Sequence, residues 1–339
     1  MKPRLRMKNF IISGCGFMGG MHAQALQGIA GARVSALVDV GTDRARKLAD
    51  VLGEKTPCFA NLAEALSSVE ADAVNLCLPT TLHEAGALEA IRLGKPIFLE
   101  KPIALDLPSA RRITAAARQA GVIAQVGHCI RFWPEYQELE RIVRSNRLGN
   151  LLSLSLQRRS GTPGGWALDP KLSGGAAMDL HIHDTDYILH LLGKPQAVTS
   201  HISGDAWGHI FTTYHFPETV VVAEGGWDYP QKWGFQMAYQ AVFEGGAVEF
   251  DSAGGVSLTP ASGARRPLPV KQPAAGKSRS AAGNISSLGG YQNELAYFVN
   301  CLKSGNPPKI ATLEQATDSL AVVLAEVRSA QSGRRIRIP

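Results

Sequence analysis

The sequence predicts an α/β protein: an N-terminal doubly wound parallel sheet, then a C-terminal α+β domain with a large, mainly antiparallel open sheet. Two patterns indicate this fold. Up to about residue 125, short apolar runs alternate with helical patterns of about a dozen residues, as in parallel sheets. From 197 to 250, strand-like runs follow one another without helices between them, which is typical of antiparallel sheets. The 339 residues suffice for two domains, which we predict at 1–125 and 126–339.

The elements of the first domain follow from apolar runs that end at glycine, proline or aspartate. Buried strands are predicted at 9–13, 34–38, 73–78, 96–99 and 122–126. Helices are predicted at 18–29, 44–52, 82–93 and 108–120. Strand and helix thus alternate, which favours parallel pairing.

The second domain has a different pattern. Helices are predicted at 134–145, from Gly174–Gly175 to about 192, and at 291–303 and 313–331. Residues 151–158 alternate as a strand with one exposed face would. Residues 251–290 are rich in glycine, alanine, serine and proline, which predicts loops between short strands.

Composition narrows the class of protein. The chain is 45% hydrophobic and 19% charged, which is ordinary for a globular protein. Part of the net charge of +6 lies at the termini, which indicates a solvated surface and no nucleic-acid partner. No apolar run is long enough to predict a membrane-spanning helix.

The five cysteines are scattered, and none forms a C-x-x-C pair. We therefore expect free thiols and a cytoplasmic location. Basic residues 2–8, an apolar run and the segment Ala23–Ala25 imitate a signal peptide. Glycines interrupt that run, so we expect the segment to belong to the mature protein.

A glycine-rich motif lies between the first strand and the first helix. Residues 14–19 match G-x-G-x-x-G in the context of the dinucleotide-binding Rossmann fold. Gly14 permits the turn, Gly16 lets the pyrophosphate approach the helix N-terminus, and Gly19 lets helix and strand pack closely. Asp39 ends the second strand, where a carboxylate accepts ribose hydroxyls and repels a 2′-phosphate. We therefore predict NAD as the cofactor, while nearby Arg44 leaves NADP open.

Three further residues suggest proton-transfer chemistry. Lys101 follows the fourth strand, where its ammonium can stabilise charge on an alcohol oxygen. Asp179 and His183 are four apart and share a helix face, as an acid/base pair would. A surface lysine and a helix-face ion pair are the alternatives. His181 and His183 are two apart and point to different sides of the helix, so we expect no metal site.

Several segments resemble the glucose-fructose oxidoreductase / inositol dehydrogenase / rhizopine catabolism (Gfo/Idh/MocA) family. They are the run from Gly14 to His22, the turn Pro79–His83, the tripeptide Glu100-Lys101-Pro102, residues 166–186, and the run from Tyr291 to Glu294. The resemblance covers nearly the whole chain, and the order and spacing of the motifs make it specific. One departure is Ile130, where inositol dehydrogenases tend to carry a second arginine next to Arg131.

The resemblance implies a catalytic set of Lys101, Asp179 and His183. It implies a hydride transfer between the nicotinamide and a secondary alcohol or ketone of a sugar, inositol or related polyol. It also implies a cis peptide bond before Pro102 and a homodimer or homotetramer formed through the C-terminal sheet. With the glycine motif, the expected cofactor contacts are Gly14, Gly16, Phe17, Met18, Gly19, Asp39, Arg44, Pro79, Thr80, His83, Glu100 and Lys101. The expected substrate contacts are Lys101, His128, Arg131, Trp166, Asp179 and His183.

Two other functions stay open at this point. One is a non-catalytic regulatory sensor that binds NAD on the same fold, in which equivalents of Lys101 and His183 would be lost. The other is a Rossmann dehydrogenase for another class of substrate, which the spacing of Asp179 and His183 disfavours.

Overall fold

A computed structural model describes residues 6–53, 55–204, 207–270 and 289–339. The chain forms two compact units. The first contains the described residues up to Cys129 together with 289–317, and the second contains Ile130 to residue 270 together with Asp318–Pro339. The predicted domain boundary near residue 125 stays a prediction. The two compact units differ from the predicted domains chiefly because residues 289–317 belong to the first unit.

The first unit contains a parallel sheet of six strands, ordered β3-β2-β1-β4-β5-β6. The strands are β1 (Lys8–Ser13), β2 (Ala32–Val38), β3 (Cys58–Phe59), β4 (Ala73–Leu76), β5 (Ile97–Leu99) and β6 (Ala124–Val126). The strand order reverses between β1 and β4, and ligands bind at such switch points, beyond the carboxyl ends of the strands. The doubly wound parallel sheet predicted from the sequence is confirmed.

Five helices connect these strands: α1 (Phe17–Gln27), α2 (Thr42–Leu52), α3 (Leu62–Ser68), α4 (His83–Arg92) and α5 (Leu107–Ala120). Local signals explain their ends. The Asp106 side chain accepts a hydrogen bond from the Ser109 amide and caps α5, which Gly121 ends at a positive φ of 64°. β3 and α3 were not predicted, because two and seven residues are too few to show a hydrophobic period.

A later helix completes the core of the first unit. This helix packs on β1, β5 and α1 through Leu295, Phe298 and Leu302, and the Phe298 ring contacts the rings of Phe10 and Phe98 edge-on. It spans Gly289–Ser304 and is α9 in chain order, after α6 (Pro134–Ser145), α7 (Pro170–Ser173) and α8 (Ile182–Leu192). The residues of α9, which come late in the sequence, thereby join the core of the first unit.

The second unit contains a sheet of nine strands, ordered β14-β13-β12-β11-β7-β10-β9-β8-β15. The strands are β7 (Leu151–Gly161), β8 (Ala197–Ser203), β9 (His209–His215), β10 (Val220–Tyr229), β11 (Phe235–Phe243), β12 (Gly246–Asp251), β13 (Gly255–Pro260), β14 (Arg266–Pro267) and β15 (Ile336–Arg337). Pairing is antiparallel except between β7 and β10, which confirms a mainly antiparallel sheet.

Helices cover one face of this sheet. The ring of Tyr136 on α6 packs edge-on against Tyr239 and Phe250 of the sheet and against Tyr187 of α8. The last helix, α10 (Leu313–Ser332), also reaches the sheet, because Ser329 accepts a hydrogen bond from the Ser200 amide. The alternation of more and less buried side chains predicted at 151–158 is present in β7, which lies near the middle of the sheet.

The predicted loop-rich region 251–290 contains β13 and β14, as expected for short strands, and its residues 271–288 lie outside the described part of the chain. Within the described part, no helix combines the length and the low polarity that crossing a membrane requires.

Candidate active site

The glycine turn lies at the carboxyl end of β1 and opens α1. Gly14 has a φ of +94°, and a side chain there would overlap the Cys77 carbonyl oxygen. A side chain at Gly19 would overlap the Gly14 carbonyl oxygen, so helix and turn can pack only without one. Gly16 begins α1 and faces open space. The turn therefore fits a dinucleotide, whose phosphates could approach Gly16 and the first amides of the helix.

Asp39 follows β2 at the same edge of the sheet. Its carboxylate accepts hydrogen bonds from the amides of Cys15 (2.9 Å) and Gly41 (2.8 Å), so it braces the glycine turn. Arg44 donates to both of its oxygens and reaches 2.7 Å from Nη2 to Oδ1. Burial opposes ionisation, but the bonds from Arg44 and the two amides lower the pKa of Asp39. An adenosine ribose at this position would contact the Asp39 carboxylate, which is already paired with Arg44.

The turn after β4 contains the predicted contacts Pro79, Thr80 and His83. The His83 ring is buried, and its two nitrogens lie 2.8 Å from the Pro102 carbonyl oxygen and 2.9 Å from that of Leu78. Burial lowers the pKa of His83 although both carbonyls favour the charged ring. His83 thus connects the segment after β4 with the segment after β5.

Lys101 follows β5, and its peptide bond to Pro102 is cis, as the resemblance implied. Its amide donates to the Glu100 carboxylate at 3.1 Å. Glu100 is buried, and its other oxygen lies 3.0 Å from Nε2 of His22 on α1. Glu100 therefore connects the backbone of Lys101 with His22 of α1.

Asp179 and His183 lie on one helical stretch of the second unit. From Ala176 to Ile188 every residue is buried except these two, which are partly exposed. The stretch is not a regular α-helix as predicted, because Ala177–His181 forms a turn of π-helix that leads into α8. Such turns occur often at functional sites, because they redirect side chains without ending the helix.

Two buried ion pairs hold the beginning of α8. Arg158 of β7 donates to both Asp184 oxygens, at 2.8 and 3.0 Å. Arg131 donates to both Asp186 oxygens at 2.7 Å, and the Ser319 hydroxyl also donates to Asp186. The pairs join residues 26 and 55 positions apart, so no local pattern could have identified them.

His181 and Thr185 are fixed by a third polar group, centred on Tyr214 of β9. The Tyr214 hydroxyl lies 3.1 Å from Nε2 of His181 and 2.8 Å from the Thr185 hydroxyl. Glu326 of α10 accepts a hydrogen bond from Thr185 at 3.1 Å and lies 3.2 Å from His181. His181 is therefore part of the buried packing around the helix, whereas His183 is partly exposed.

The predicted substrate contacts have different environments. His128 of the first unit is buried, and so is Arg131, whose guanidinium binds Asp186. Trp166 is exposed on a short 3₁₀ turn. Among the predicted cofactor contacts, Phe17 is exposed and Met18 is half-buried.

The first unit thus brings the glycine turn, Asp39, the turn Pro79–His83 and Lys101 to the carboxyl edge of one sheet. The second unit carries Asp179 and His183 on one helical stretch, where both are partly exposed. Their roles in binding and catalysis stay predictions.

Comparison with known proteins agrees with this architecture. The family model of the Gfo/Idh/MocA oxidoreductases, with an NAD-binding Rossmann fold, matches residues 8–128, and the model of a C-terminal domain of this family matches 136–249. The chain is 34% identical to an inositol 2-dehydrogenase of Arthrobacter sp. over 70% of its own length and 72% of the relative's. It is 33% identical to inositol 2-dehydrogenase 2 of Saccharopolyspora erythraea, of which the match covers about half (54%) and 55% of this chain.

Among solved structures, levoglucosan dehydrogenase in complex with NADH and levoglucosan superposes with a TM-score of 0.85. The match covers 98% of this chain and 100% of that one at 18% identity, so it supports the fold alone. Together, the matches to both domains and to the Arthrobacter relative show that the chain belongs to the Gfo/Idh/MocA oxidoreductase family.

Proposed function

We propose that this protein is an NAD-dependent oxidoreductase that transfers a hydride between the nicotinamide and a secondary alcohol or ketone of a sugar, inositol or related polyol. The observation that carries the proposal is the partial exposure of Asp179 and His183 within an otherwise buried helix. A histidine beside a carboxylate is suited to exchange a proton with an alcohol. The relatives named as inositol 2-dehydrogenases support this reaction class.

The first unit would hold the cofactor. Its glycine turn suits the pyrophosphate, and Asp39 suits the adenosine ribose of NAD. When bound, the nicotinamide supplies the hydride acceptor, while the protein handles the proton. Arg44 beside Asp39 is the residue that could accept a 2′-phosphate, so NADP is the second cofactor to test.

His183 would be the general base in oxidation, and Asp179 would orient it. Lys101 would hydrogen-bond the reacting oxygen and stabilise the charge that develops on it. The hydrogen bond from its amide to Glu100 supports this role, because it holds the backbone from which the ammonium extends.

The predicted substrate contacts have different environments, so we propose different roles for them. Trp166 has an exposed ring that suits the C–H face of a sugar. Arg131 is engaged with Asp186, so we propose that it acts by holding α8 in place. Ile130 is buried beside it, where inositol dehydrogenases tend to carry a second arginine, so the substrate panel should extend beyond inositols.

Assembly and location are further proposals. On one face of the second sheet, Phe211, Val220 and Val242 are exposed among the described residues, which supports a homodimer or homotetramer formed through that face. All five cysteines are free thiols, which supports a reducing cytoplasm. Light scattering at micromolar protein would test the assembly, and a monomer would contradict it.

The function can be tested by incubating the protein with NAD and a panel of myo-inositol, scyllo-inositol, levoglucosan and common aldoses. We expect the near-ultraviolet absorbance of reduced nicotinamide to appear with at least one of them. The same panel with NADP measures cofactor preference. Tight NAD binding by calorimetry without turnover on any substrate, in either direction, would favour a regulatory sensor.

A further inference from the structure

A buried polar cluster lies in the first unit behind Lys101. It consists of His22 on α1, Glu100 after β5 and Glu294 on α9, with exposures of 0%, 4% and 0%. One nitrogen or oxygen atom from each of the three lies within 4.8 Å of the other two. Sequence analysis assigned no role to Glu294, and the catalytic scheme above does not use it.

The polar neighbours of His22 favour its charged form. Nδ1 lies 3.1 Å from the Asn75 side-chain oxygen, and Nε2 lies 3.0 Å from a Glu100 oxygen. A carboxylate at Nε2 and an amide oxygen at Nδ1 favour a ring that is protonated at both nitrogens, an imidazolium. Burial opposes that charge, but the neighbouring Cys77 and Glu100 raise the pKa of His22 well above its usual value.

Glu100 is the anion that pairs with this imidazolium. Besides His22, it accepts the Lys101 amide at 3.1 Å. Burial opposes its ionisation, yet the hydrogen bond and charge of His22 lower the pKa of Glu100. His22 and Glu100 therefore neutralise each other.

Glu294 has no such support. Neither of its carboxyl oxygens has a hydrogen-bond partner among the described residues, and both are buried. Two carboxylates this close cannot both ionise cheaply, because buried like charges repel and no hydrogen bond among the described residues stabilises a charge on Glu294. Burial raises the pKa of Glu294 well above its usual range; Glu100 reinforces this and His22 opposes it.

The surroundings of the carboxyl group come from four elements. Ionisable and polar groups at the cluster are His22, Asn75, Cys77, Glu100, Lys101, Tyr291 and Glu294. Glu294 lies on α9, and Leu295 and Phe298 of the same helix are buried in the apolar core. Glu294 cannot withdraw to water without moving that helix.

We propose that Glu294 is held as a neutral carboxylic acid and is a positioning residue, which leaves Glu100 as the single anion that binds His22 and the Lys101 backbone. An ionised Glu294 would compete for His22 and loosen Glu100, and with it the amide of Lys101. The importance of this for catalysis rests on the proposed role of Lys101. The protonation state does not depend on that role.

The test compares the wild type with Glu294→Gln, which resembles the neutral acid in shape and cannot ionise. Infrared spectroscopy in heavy water at neutral pH should show the carbonyl stretch of a protonated carboxylic acid in the wild type. The band should be missing in Glu294→Gln and retained in Glu64→Gln, a matched change at an exposed glutamate.

A second readout follows the amide resonance of Lys101 by nuclear magnetic resonance as pH rises. We expect it to match the wild type in Glu294→Gln at neutral pH. At alkaline pH it should shift in the wild type but not in the variant. Both readouts work without turnover, so they stand even if no polyol is oxidised.

Three results would overturn the proposal. The first is that Glu294→Gln removes no protonated carboxyl band from the wild-type spectrum. The second is that the Lys101 amide shows the same alkaline shift in both proteins. The third is that the purified protein contains stoichiometric metal. The last would mean that a cation, and not a proton, balances the two carboxylates.

Discussion

The two units hold their candidate reacting side chains by different physical means. In the first, hydrogen bonds hold the backbone around Lys101: its amide donates to Glu100, and the carbonyl oxygen of Pro102 lies 2.8 Å from a ring nitrogen of His83. In the second, the helix that carries Asp179 and His183 is fixed by buried side-chain ion pairs.

The difference has a consequence for mutation. A backbone-held site depends on residues with special conformations, whereas an ion-paired site depends on keeping both partners, because an unpaired buried charge is costly. The second unit should therefore be more sensitive to the loss of single charges, and the first to changes near its turns.

The largest effect is expected for His183→Ala. Loss of a general acid/base group lowers turnover by about 10²–10⁴-fold. NAD affinity should be nearly unchanged, since the proposed cofactor contacts belong to the first unit. Turnover and calorimetric NAD binding measure the two effects separately. His201→Ala, at an exposed position of β8, is the matched control and should behave like the wild type. Wild-type turnover by His183→Ala would remove the residue from the mechanism.

Arg158→Met tests how the second unit holds its helix. It leaves Asp184 buried without its partner, which should lower the free energy of unfolding by about 3–5 kcal/mol in urea denaturation. The double variant Arg158→Met/Asp184→Leu should recover most of the loss. The same change at Arg46, whose ion pair is exposed, should cost less than about 1 kcal/mol. Equal effects at Arg158 and Arg46 would contradict the comparison.

Asp39→Ser tests the cofactor contact of the first unit. Hydrogen bonds to charged groups contribute about 1.5–3 kcal/mol each, so NAD should bind roughly tenfold more weakly or worse. NADP should bind more tightly, since Arg44 loses the anion that engages it. Calorimetry with both cofactors measures the preference. A wild type that already prefers NADP would refute the role of Asp39.

The smallest effect is a slope of stability with pH. The pKa of Glu294 is higher in the folded protein than in the unfolded chain, so the folded protein keeps a proton that the unfolded chain has lost. Wild-type stability should therefore fall, relative to Glu294→Gln, by up to about 1.4 kcal/mol per pH unit above the unfolded pKa of about 4.3. The difference should stop growing above the folded pKa. Parallel stability curves for the two proteins would show that Glu294 does not titrate this way.

Much of the first unit could be predicted because its signals are local. The glycine motif, Asp39 and Lys101 each follow a strand, and parallel topology brings strand ends to one edge. Helix α6 has the bounds that periodicity predicts, from Pro134 to Ser145.

The second unit was less predictable because its decisive contacts are long-range. The π-helical turn before α8 has no compositional signal, and the parallel pairing of β7 with β10 joins strands far apart in sequence. The ion pairs of Arg158 and Arg131 depend on the same tertiary packing. Glu294 lies in a recognisable helix, but only the fold places it beside His22 and Glu100.

Hydride transfer itself is the central claim, and isotope transfer tests it most directly. A polyol that is active in the panel is deuterated at the carbon that is oxidised, and the reduced nicotinamide is then examined by mass spectrometry. The account predicts one deuterium on each reduced cofactor, slower turnover than with the unlabelled polyol, and loss of the signal in His183→Ala. Reduced cofactor without deuterium would contradict hydride transfer from that carbon.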